Sequence, residues 1–234
     1  MGTRTTTSNF LQTISEEWPN FFSKLGFAYT ESAVFWRKLG AVEHGFFLMP
    51  NPTPTHFSVD VGVYVPAIES RSDYVRGAHA TTLVVSRPLG LLRSDGREER
   101  TLYHFATVEE LRARLPTVYA DFVEQAEPWL ETLATVEDVA KEFHKWRIAL
   151  PSKGRTRPTD PFAWATYGWL LQEAGRKLEA QPWLKRALDQ LKEPTFYTKG
   201  GHFVPIDTPG ARPVPRTAEE SRLIELLRGD LELE

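Results

Sequence analysis

Apolar and polar residues alternate along three successive stretches between residues 35 and 65, and this alternation predicts three strands of a β-meander. The third stretch is the most regular, and its apolar side carries Phe57, Val59, Val61, Val63 and Val65. Its other side carries His56, Ser58, Asp60 and Tyr64. The pattern therefore predicts an antiparallel sheet with one buried face and one polar face.

The register between the second and third strands follows if the apolar residues are kept on one face. This register pairs Phe46 with Phe57, Val42 with Val61, Glu43 with Asp60, and Phe47 with His56. The Pro-rich segment 50–54 forms the turn, because proline cannot continue either strand. His44 falls on the apolar side, which predicts a packed core histidine.

The remaining pattern predicts an α+β fold with an antiparallel meander sheet of about five strands, helices on one face and a C-terminal helical region. Strands four and five are placed at 81–86 and 100–105, with a polar loop at 68–79. Helical spacing covers 10–25, where Pro19 starts a second segment, and then runs from Thr107 to about Trp146. A basic linker at 151–158 separates a sheet domain, 9–150, from a helical domain, 160–234.

A helical hairpin is predicted between residues 161 and 194, with its turn at Gly175. Small and large residues fall where a tetratricopeptide repeat places them, at Trp164, Gly168, Gly175, Ala180, Ala187 and Leu188. Only one clear copy is present, so the hairpin needs neighbours to cover its faces, which are the helices before it, a final helix at 217–227, or a partner. The Pro- and Gly-rich residues 195–216 form the intervening loop. Trp164, Trp169 and Trp183 are interpreted as packing residues rather than the lining of a ligand pocket.

The composition of the chain argues against several kinds of functional site. The chain has 234 residues, a formal net charge of −3 and no cysteine. The charge provides no overall field for nucleic acid or anionic membranes, and the absence of cysteine excludes disulfides, thiolate metal sites and cysteine nucleophiles. No apolar run suits a signal peptide or a membrane span. We therefore expect a cytoplasmic protein that does not associate with membranes.

Three short motifs carry a resemblance to a known family. They are Leu25-Gly26-Phe27, Phe35-Trp36-Arg37-Lys38-Leu39, and the segment from Phe57 to Tyr64. Over about residues 9–150, the chain resembles the bacterial family numbered 4304 among the domains of unknown function. Asp60 stands where asparagine is common in that family. The resemblance implies no catalytic residues, and the resemblance of the hairpin at 161–194 to a tetratricopeptide repeat implies a scaffold for protein contacts.

The polar sheet face is the best candidate for catalysis. It carries Glu43, His56, Ser58, Asp60 and Tyr64, and Arg37 is considered with them. A carboxylate beside an imidazole could orient it as a general base, which would suit a hydrolase. The alternative is a solvated outer face, which alternates in the same way and is the favoured interpretation. His104 is a weaker candidate on strand five.

Nucleic-acid binding and metal binding have less support. Arginines cluster in the loops and the linker, where the candidates are Arg93, Arg97, Arg155 and Arg157. Acidic residues interrupt the first cluster, so an ordinary charged surface is favoured. The chain lacks a phosphate-binding loop, a dinucleotide fingerprint, a His-Glu-x-x-His motif and a nucleophile elbow. We predict no cofactor and no metal site.

The first functional hypothesis is therefore a non-enzymatic protein-interaction module whose partner is another protein. Within that class we interpret the chain as an immunity- or antitoxin-like protein, by analogy with other small bacterial domains. A hydrolase that uses the polar sheet face and a nucleic-acid accessory protein remain the alternatives.

Overall fold

The computed structural model describes residues 6–30, 33–52, 55–76, 83–92, 101–149, 160–192, 197–200, 202–204 and 208–232. The chain divides into two compact units. The first comprises Met1–Pro66 and Thr82–Val139, and the second comprises Ala67–Thr81 and Ala140–Glu234. Residues 67–81 thus group with the C-terminal helices rather than with the sheet that surrounds them in sequence. The basic linker at 151–158 lies outside the described residues.

The strands, in chain order, are β1 (Ala28–Tyr29), β2 (Val34–Leu39), β3 (Val42–Pro50), β4 (His56–Tyr64), β5 (Val85–Pro88), β6 (Tyr103–His104), β7 (Tyr197–Lys199), β8 (His202–Val204) and β9 (Arg212–Pro213). The first five form an antiparallel sheet in the order β1-β2-β3-β4-β5, and β6 pairs with the start of β4. The predicted α+β class and the antiparallel meander are confirmed.

The helices are α1 (Thr7–Glu17), α2 (Pro19–Phe22), α3 (Pro66–Arg76), α4 (Val108–Asp121), α5 (Glu127–Glu131), α6 (Val136–Phe143), α7 (Pro161–Glu173), α8 (Lys177–Lys192) and α9 (Ala218–Glu232). Turns of π-helix, Phe122–Ala126 and His144–Ile148, follow α4 and α6. The first of these π turns lies just before Pro128. Proline cannot donate the ordinary helical hydrogen bond and its ring crowds the preceding turn, so a wider turn is favoured there.

The predicted register between β3 and β4 is wrong by four residues. Phe46 lies opposite Val61, Phe47 opposite Asp60, and Glu43 opposite Tyr64. The cause is the turn, since β3 continues to Pro50 and a wider loop follows. In that loop the Asn51 side chain accepts hydrogen bonds from the backbone N–H of Thr55 (2.9 Å) and of His56 (3.2 Å). Because the slip is an even number of residues, every side chain keeps its predicted face.

Helices cover the apolar face of this sheet with aromatic side chains. Phe10 of α1 packs on Phe57, with ring centroids 5.7 Å apart, and Phe22 of α2 packs on Phe46 at 4.5 Å. Phe122 of the π turn packs on the same Phe46 ring at 4.8 Å. All of these rings are fully buried. The core of the first unit therefore lies between the inner sheet face and the helical layer.

The second unit is built on the predicted helical hairpin. Asp160 caps α7 by accepting from the backbone N–H of Phe162 and Ala163, and Gly175 turns the chain with a φ of 79°. Gly168 lets the two helices approach, since a Cβ there would lie 2.5 Å from Leu184 Cδ2. Helix α9 begins one residue after the predicted start and buries Leu223, Ile224 and Leu227.

Two predicted loops of the second unit contain regular structure. Residues 68–79 were expected to be a polar loop, but α3 runs from Pro66 to Arg76. The sequence of this helix has almost no apolar stripe. Ile68 is buried, but a polar residue stands where a second apolar side chain would be expected, since the Arg71 guanidinium lies over the Trp169 ring, 5.6 Å from its centroid. The interval 195–216 contains β7, β8 and β9, which form a small antiparallel sheet.

We expect the close approach of α7 and α8 to make Gly168 intolerant of a side chain. Gly168→Val should lower the free energy of unfolding by about 1–3 kcal/mol, which is the usual cost of overfilling a packed interior. Gly229→Val is the matched control on α9, where a Cβ meets nothing within 4 Å. It should change stability by less than about 0.5 kcal/mol, since valine and glycine differ little in helix propensity. Equal effects in urea unfolding would contradict this packing.

Candidate functional site

The outer face of the sheet carries a cluster of three aromatic side chains, which we call the aromatic face. Trp36 of β2 contacts Phe47 of β3 edge-on, with ring centroids 5.4 Å apart. Trp36 also lies 5.4 Å from Tyr64 of β4. All three side chains are half-buried, so part of each ring is exposed to solvent. Polar residues had been expected to dominate this face.

A glycine makes this cluster possible. Gly45 lies directly opposite Trp36 in the sheet, and a Cβ at Gly45 would overlap the indole ring. The six-membered ring of the indole therefore occupies the space that a side chain at position 45 would fill. A glycine inside a strand is often a sign of such a close approach. The Trp36 ring is held in place by the strand beneath it and by the two neighbouring rings.

Charged side chains border the aromatic face. Lys38 Nζ lies 3.4 Å from Glu43 Oε1, with the lysine side chain 82% exposed and the glutamate side chain 17% exposed. Asp60 lies opposite Phe47 and is half-buried. The surface thus combines apolar rings with two carboxylates and one ammonium group.

The structure spreads the predicted catalytic residues along β4 rather than gathering them. His56 and Asp60 are four residues apart on one strand, which separates them by about 13 Å at the usual strand rise. Tyr64 lies four residues beyond Asp60 and pairs with Glu43. Ser58, which lies between His56 and Asp60 on β4, is buried. His56 instead lies opposite His104 of β6. None of these pairings places a carboxylate of the candidate set beside the His56 imidazole.

Arg37 is not on the outer face, where it had been considered. It follows Trp36 on β2, so its side chain enters the helical layer beside Phe35. Its guanidinium donates from Nη1 to Glu127 Oε1 and from Nη2 to Glu127 Oε2, both at 2.9 Å. Nη1 also donates to the Leu25 carbonyl at 2.9 Å. Both side chains of this bidentate pair are largely buried, at 17% and 12% exposure.

His44 completes this buried cluster. Arg37 Nη2 lies 3.0 Å from His44 Nδ1, and His44 Nε2 lies 3.1 Å from the Leu133 carbonyl. A guanidinium only donates, so Nδ1 must accept and Nε2 must carry the proton. The predicted core histidine is confirmed, and the neighbouring groups require its neutral form. Burial lowers the pKa of His44 and the Arg37 charge lowers it further, against an opposing contribution from the Leu133 hydrogen bond.

The second unit has its own polar cluster. Arg71 of α3 donates to Gln172 Oε1 at 2.9 Å and lies 3.7 Å from Asp230 of α9. Trp169 Nε1 donates to the same Asp230 carboxylate at 2.7 Å. Trp164 and Trp169 are buried as predicted, whereas Trp183 is half-buried. These contacts join three helices of one unit and have the character of structural links.

The remaining predictions concern binding to nucleic acid, metal ions and membranes. Arg93, Arg97, Arg155 and Arg157 all lie outside them. Within the described part of the chain, no three histidine or carboxylate side chains are grouped as ligands of one metal ion. The described helices include none that is long and apolar enough to cross a membrane.

Sequence reasoning missed Trp36 and Glu127. The signal for Trp36 was present, since Gly45 interrupts an otherwise regular strand and Trp36 lies in its neighbour. Glu127 had no such signal, because it lies 90 residues from Arg37 in sequence. Comparison with protein-family models, curated proteins and solved structures found no match for this chain. The resemblance to the bacterial family therefore stays a prediction.

We expect the fold to be strongly destabilised when only one partner of the Arg37–Glu127 pair is removed. Arg37→Met should lower the free energy of unfolding by about 3–5 kcal/mol, because it leaves a carboxylate buried without its partner. Lys38→Met, the next residue on β2, should cost less than about 1 kcal/mol, because exposed ion pairs contribute little. The double variant Arg37→Met/Glu127→Met should recover much of the loss. Chemical denaturation of the three variants would contradict the assignment if Arg37→Met and Lys38→Met were equivalent.

The His44 cluster predicts a loss of stability in mild acid. The folded-state pKa is lowered, so the folded protein binds fewer protons than the unfolded chain. The contribution of neutral His44 to the free energy of unfolding is complete above the unfolded-state pKa of about 6.5. It is lost as the pH falls from there through the folded-state pKa. The slope reaches at most about 1.4 kcal/mol per pH unit for one proton.

The matched variants are His44→Gln and His202→Gln. Glutamine at position 44 can accept from Arg37 and donate to the Leu133 carbonyl, but it does not titrate. His44→Gln should flatten the dependence of unfolding free energy on pH between about 7 and 5, whatever its effect at neutral pH. His202→Gln, at an exposed position on β8, should keep the wild-type slope. A wild-type slope in His44→Gln would exclude this histidine as the source.

Proposed function

We propose that this chain is a non-enzymatic protein-interaction module that binds its partner through the aromatic face. The observation that carries the proposal is the group of Trp36, Phe47 and Tyr64 on the outer side of the sheet. Tryptophan and tyrosine are enriched among the residues that dominate binding energy at protein interfaces. An apolar group of this kind with a charged border matches the usual anatomy of such an interface.

The fixed position of the rings supports this proposal. Binding is weakened by the entropy lost when mobile side chains become ordered. Trp36 is already confined by Gly45 beneath it and by two neighbouring rings. The strand pair that carries it is also anchored from the inner side by Arg37 and His44. The surface is therefore ordered before a partner arrives.

The charges beside the rings indicate the partner's chemistry. Glu43 and Asp60 border the aromatic face, and Glu43 pairs with Lys38, whose side chain is 82% exposed. A partner that presents an apolar anchor with arginine or lysine around it would match this border. Electrostatic matching of this kind favours specificity and the association rate more than affinity.

The alternatives have less geometric support. A hydrolase would need a base within hydrogen-bond reach of its orienting carboxylate, whereas His56 and Asp60 are separated by about 13 Å along β4. The arginines proposed for nucleic acid lie outside the described residues. We further propose a cytoplasmic protein of the bacterial family that the sequence resembles. Its role would be immunity- or antitoxin-like, so that the partner is a protein whose activity it blocks.

The proposal predicts that a partner is lost when the aromatic face is changed. Full-length protein immobilised on beads should retain a stoichiometric partner from a lysate of the source organism. Trp36→Ala and Phe47→Ala should each weaken that complex by about 30-fold or more, as for a residue worth about 2 kcal/mol. Binding of the purified partner, measured by calorimetry, gives the values.

The matched control is Leu178→Ala, which changes an apolar residue that is 83% exposed on α8. It should keep wild-type affinity. Phe47→Ala guards against a folding defect in Trp36→Ala, and near-UV circular dichroism reports whether each variant is folded. Failure to retain a stoichiometric partner, or equal affinity in all variants, would contradict the proposal. Inhibition of the partner's activity would support the immunity-like role, and its absence would remove that role alone.

A further inference from the structure

The pairing of β4 with β6 brings two histidines together that are 48 residues apart in sequence. His56 lies directly opposite His104, on the same outer side of the sheet. Their imidazole centroids are 5.3 Å apart and the ring planes are inclined by 46°. His104 is exposed and His56 is half-buried, so solvent reaches the pair.

We propose that His56 and His104 form a two-histidine site for a divalent transition-metal ion. Imidazole nitrogen is a preferred ligand of Zn²⁺, Ni²⁺ and Cu²⁺. Two imidazoles bound to one tetrahedral zinc ion at metal–nitrogen distances of about 2.0–2.1 Å have ring centres about 5 Å apart. The centroid separation of 5.3 Å in this structure is close to that distance.

The backbone around the pair is held in place on both strands. The His56 N–H donates to the Asn51 side chain at 3.2 Å, and the Phe105 N–H donates to the Thr55 carbonyl at 2.9 Å. The His104 carbonyl accepts from Arg114 Nε at 2.9 Å. Beneath the pair, on the inner face, Phe57 stacks on Tyr103 with centroids 5.2 Å apart. Ligands on such rigid elements are positioned before the metal binds.

One contact indicates which nitrogen of His56 would bind the metal. His56 Nδ1 lies 3.4 Å from the Thr55 hydroxyl. A proton on Nδ1 directed to that oxygen leaves the lone pair on Nε2, and an orienting partner of this kind is usual for metal-bound histidines. The Nε2 atom is therefore the ligand that we assign for His56.

The site is open rather than closed. No third ligand from the described residues accompanies the two histidines. A tetrahedral ion would thus keep two positions for water or for a donor from another molecule. Phe47, the ring of the aromatic face nearest to His56 by strand register, pairs with Asp60, which lies four positions along β4 from His56, a distance of about 13 Å. The metal site is independent of the proposed protein-binding function.

Zinc binding by the full-length, tag-free chain tests this inference. Isothermal titration with Zn²⁺ should show one site in the wild type. His56→Gln and His104→Gln should each weaken it by about tenfold or more, since the second imidazole acts as an intramolecular ligand. His202→Gln, on exposed strand β8, should have no effect. Affinity should also fall as the pH is lowered, because imidazole binds metal only when neutral.

A second measurement needs no variant. Addition of Co²⁺ should shift or broaden the ring resonances of His56 and His104 in the wild-type NMR spectrum, and leave those of buried His44 much less affected. Unchanged Zn²⁺ affinity in both single variants would overturn the proposal. An equal loss of Zn²⁺ affinity in His202→Gln would also overturn it. So would a spectrum in which Co²⁺ leaves the ring resonances of His56 and His104 unchanged.

Discussion

A guanidinium placed inside an apolar layer must be neutralised, and the first unit is arranged around that of Arg37. Its Nη atoms bind the Glu127 carboxylate, the Leu25 carbonyl and the His44 ring, and its Cζ lies 4.6 Å from the centroid of the Phe27 ring. The cluster thus joins two strands, the segment after α2 and the start of α5. A buried charge pair adds little stability by itself, but loss of one partner is severe. Such a cluster therefore constrains how the helical layer meets the sheet.

The same strand pair ties this inner cluster to the aromatic face. Arg37 pairs with His44 and Trp36 pairs with Gly45, so neighbouring positions of β2 and β3 supply the inner anchor and the outer rings. The two strands are joined by a tight turn in which Gly40 has a φ of 65°, as the first central residue of such hairpin turns requires. Movement of this hairpin would disturb both faces together. The order of the outer surface therefore depends in part on contacts that lie on the inner face of the sheet.

Local rules were enough to predict much of the fold. Alternation located β2, β3 and β4 and assigned the faces of β4, and small residues at helical spacing located the α7–α8 hairpin. They failed where the decisive contact is distant or polar. The predicted register of β3 and β4 was wrong because the Asn51 side chain stabilises a wider loop than the tight turn that the prediction assumed. Helix α3 was missed because a guanidinium, that of Arg71 over the Trp169 ring, stands where an apolar stripe would carry an apolar side chain.

The candidate sites show why a single strand is a poor guide to chemistry. Residues of one face recur every second position along a strand, so His56, Asp60 and Tyr64 share a side and yet lie about 13 Å apart in succession. Neighbouring strands are only about 4.8 Å apart, so side chains that act together come from different strands. Trp36 over Gly45 and His56 beside His104 are both of this kind. A site on a sheet is therefore determined by strand pairing, and the pairing of β6 with β4 joins His56 to a residue 48 positions away, which no local pattern in the sequence reveals.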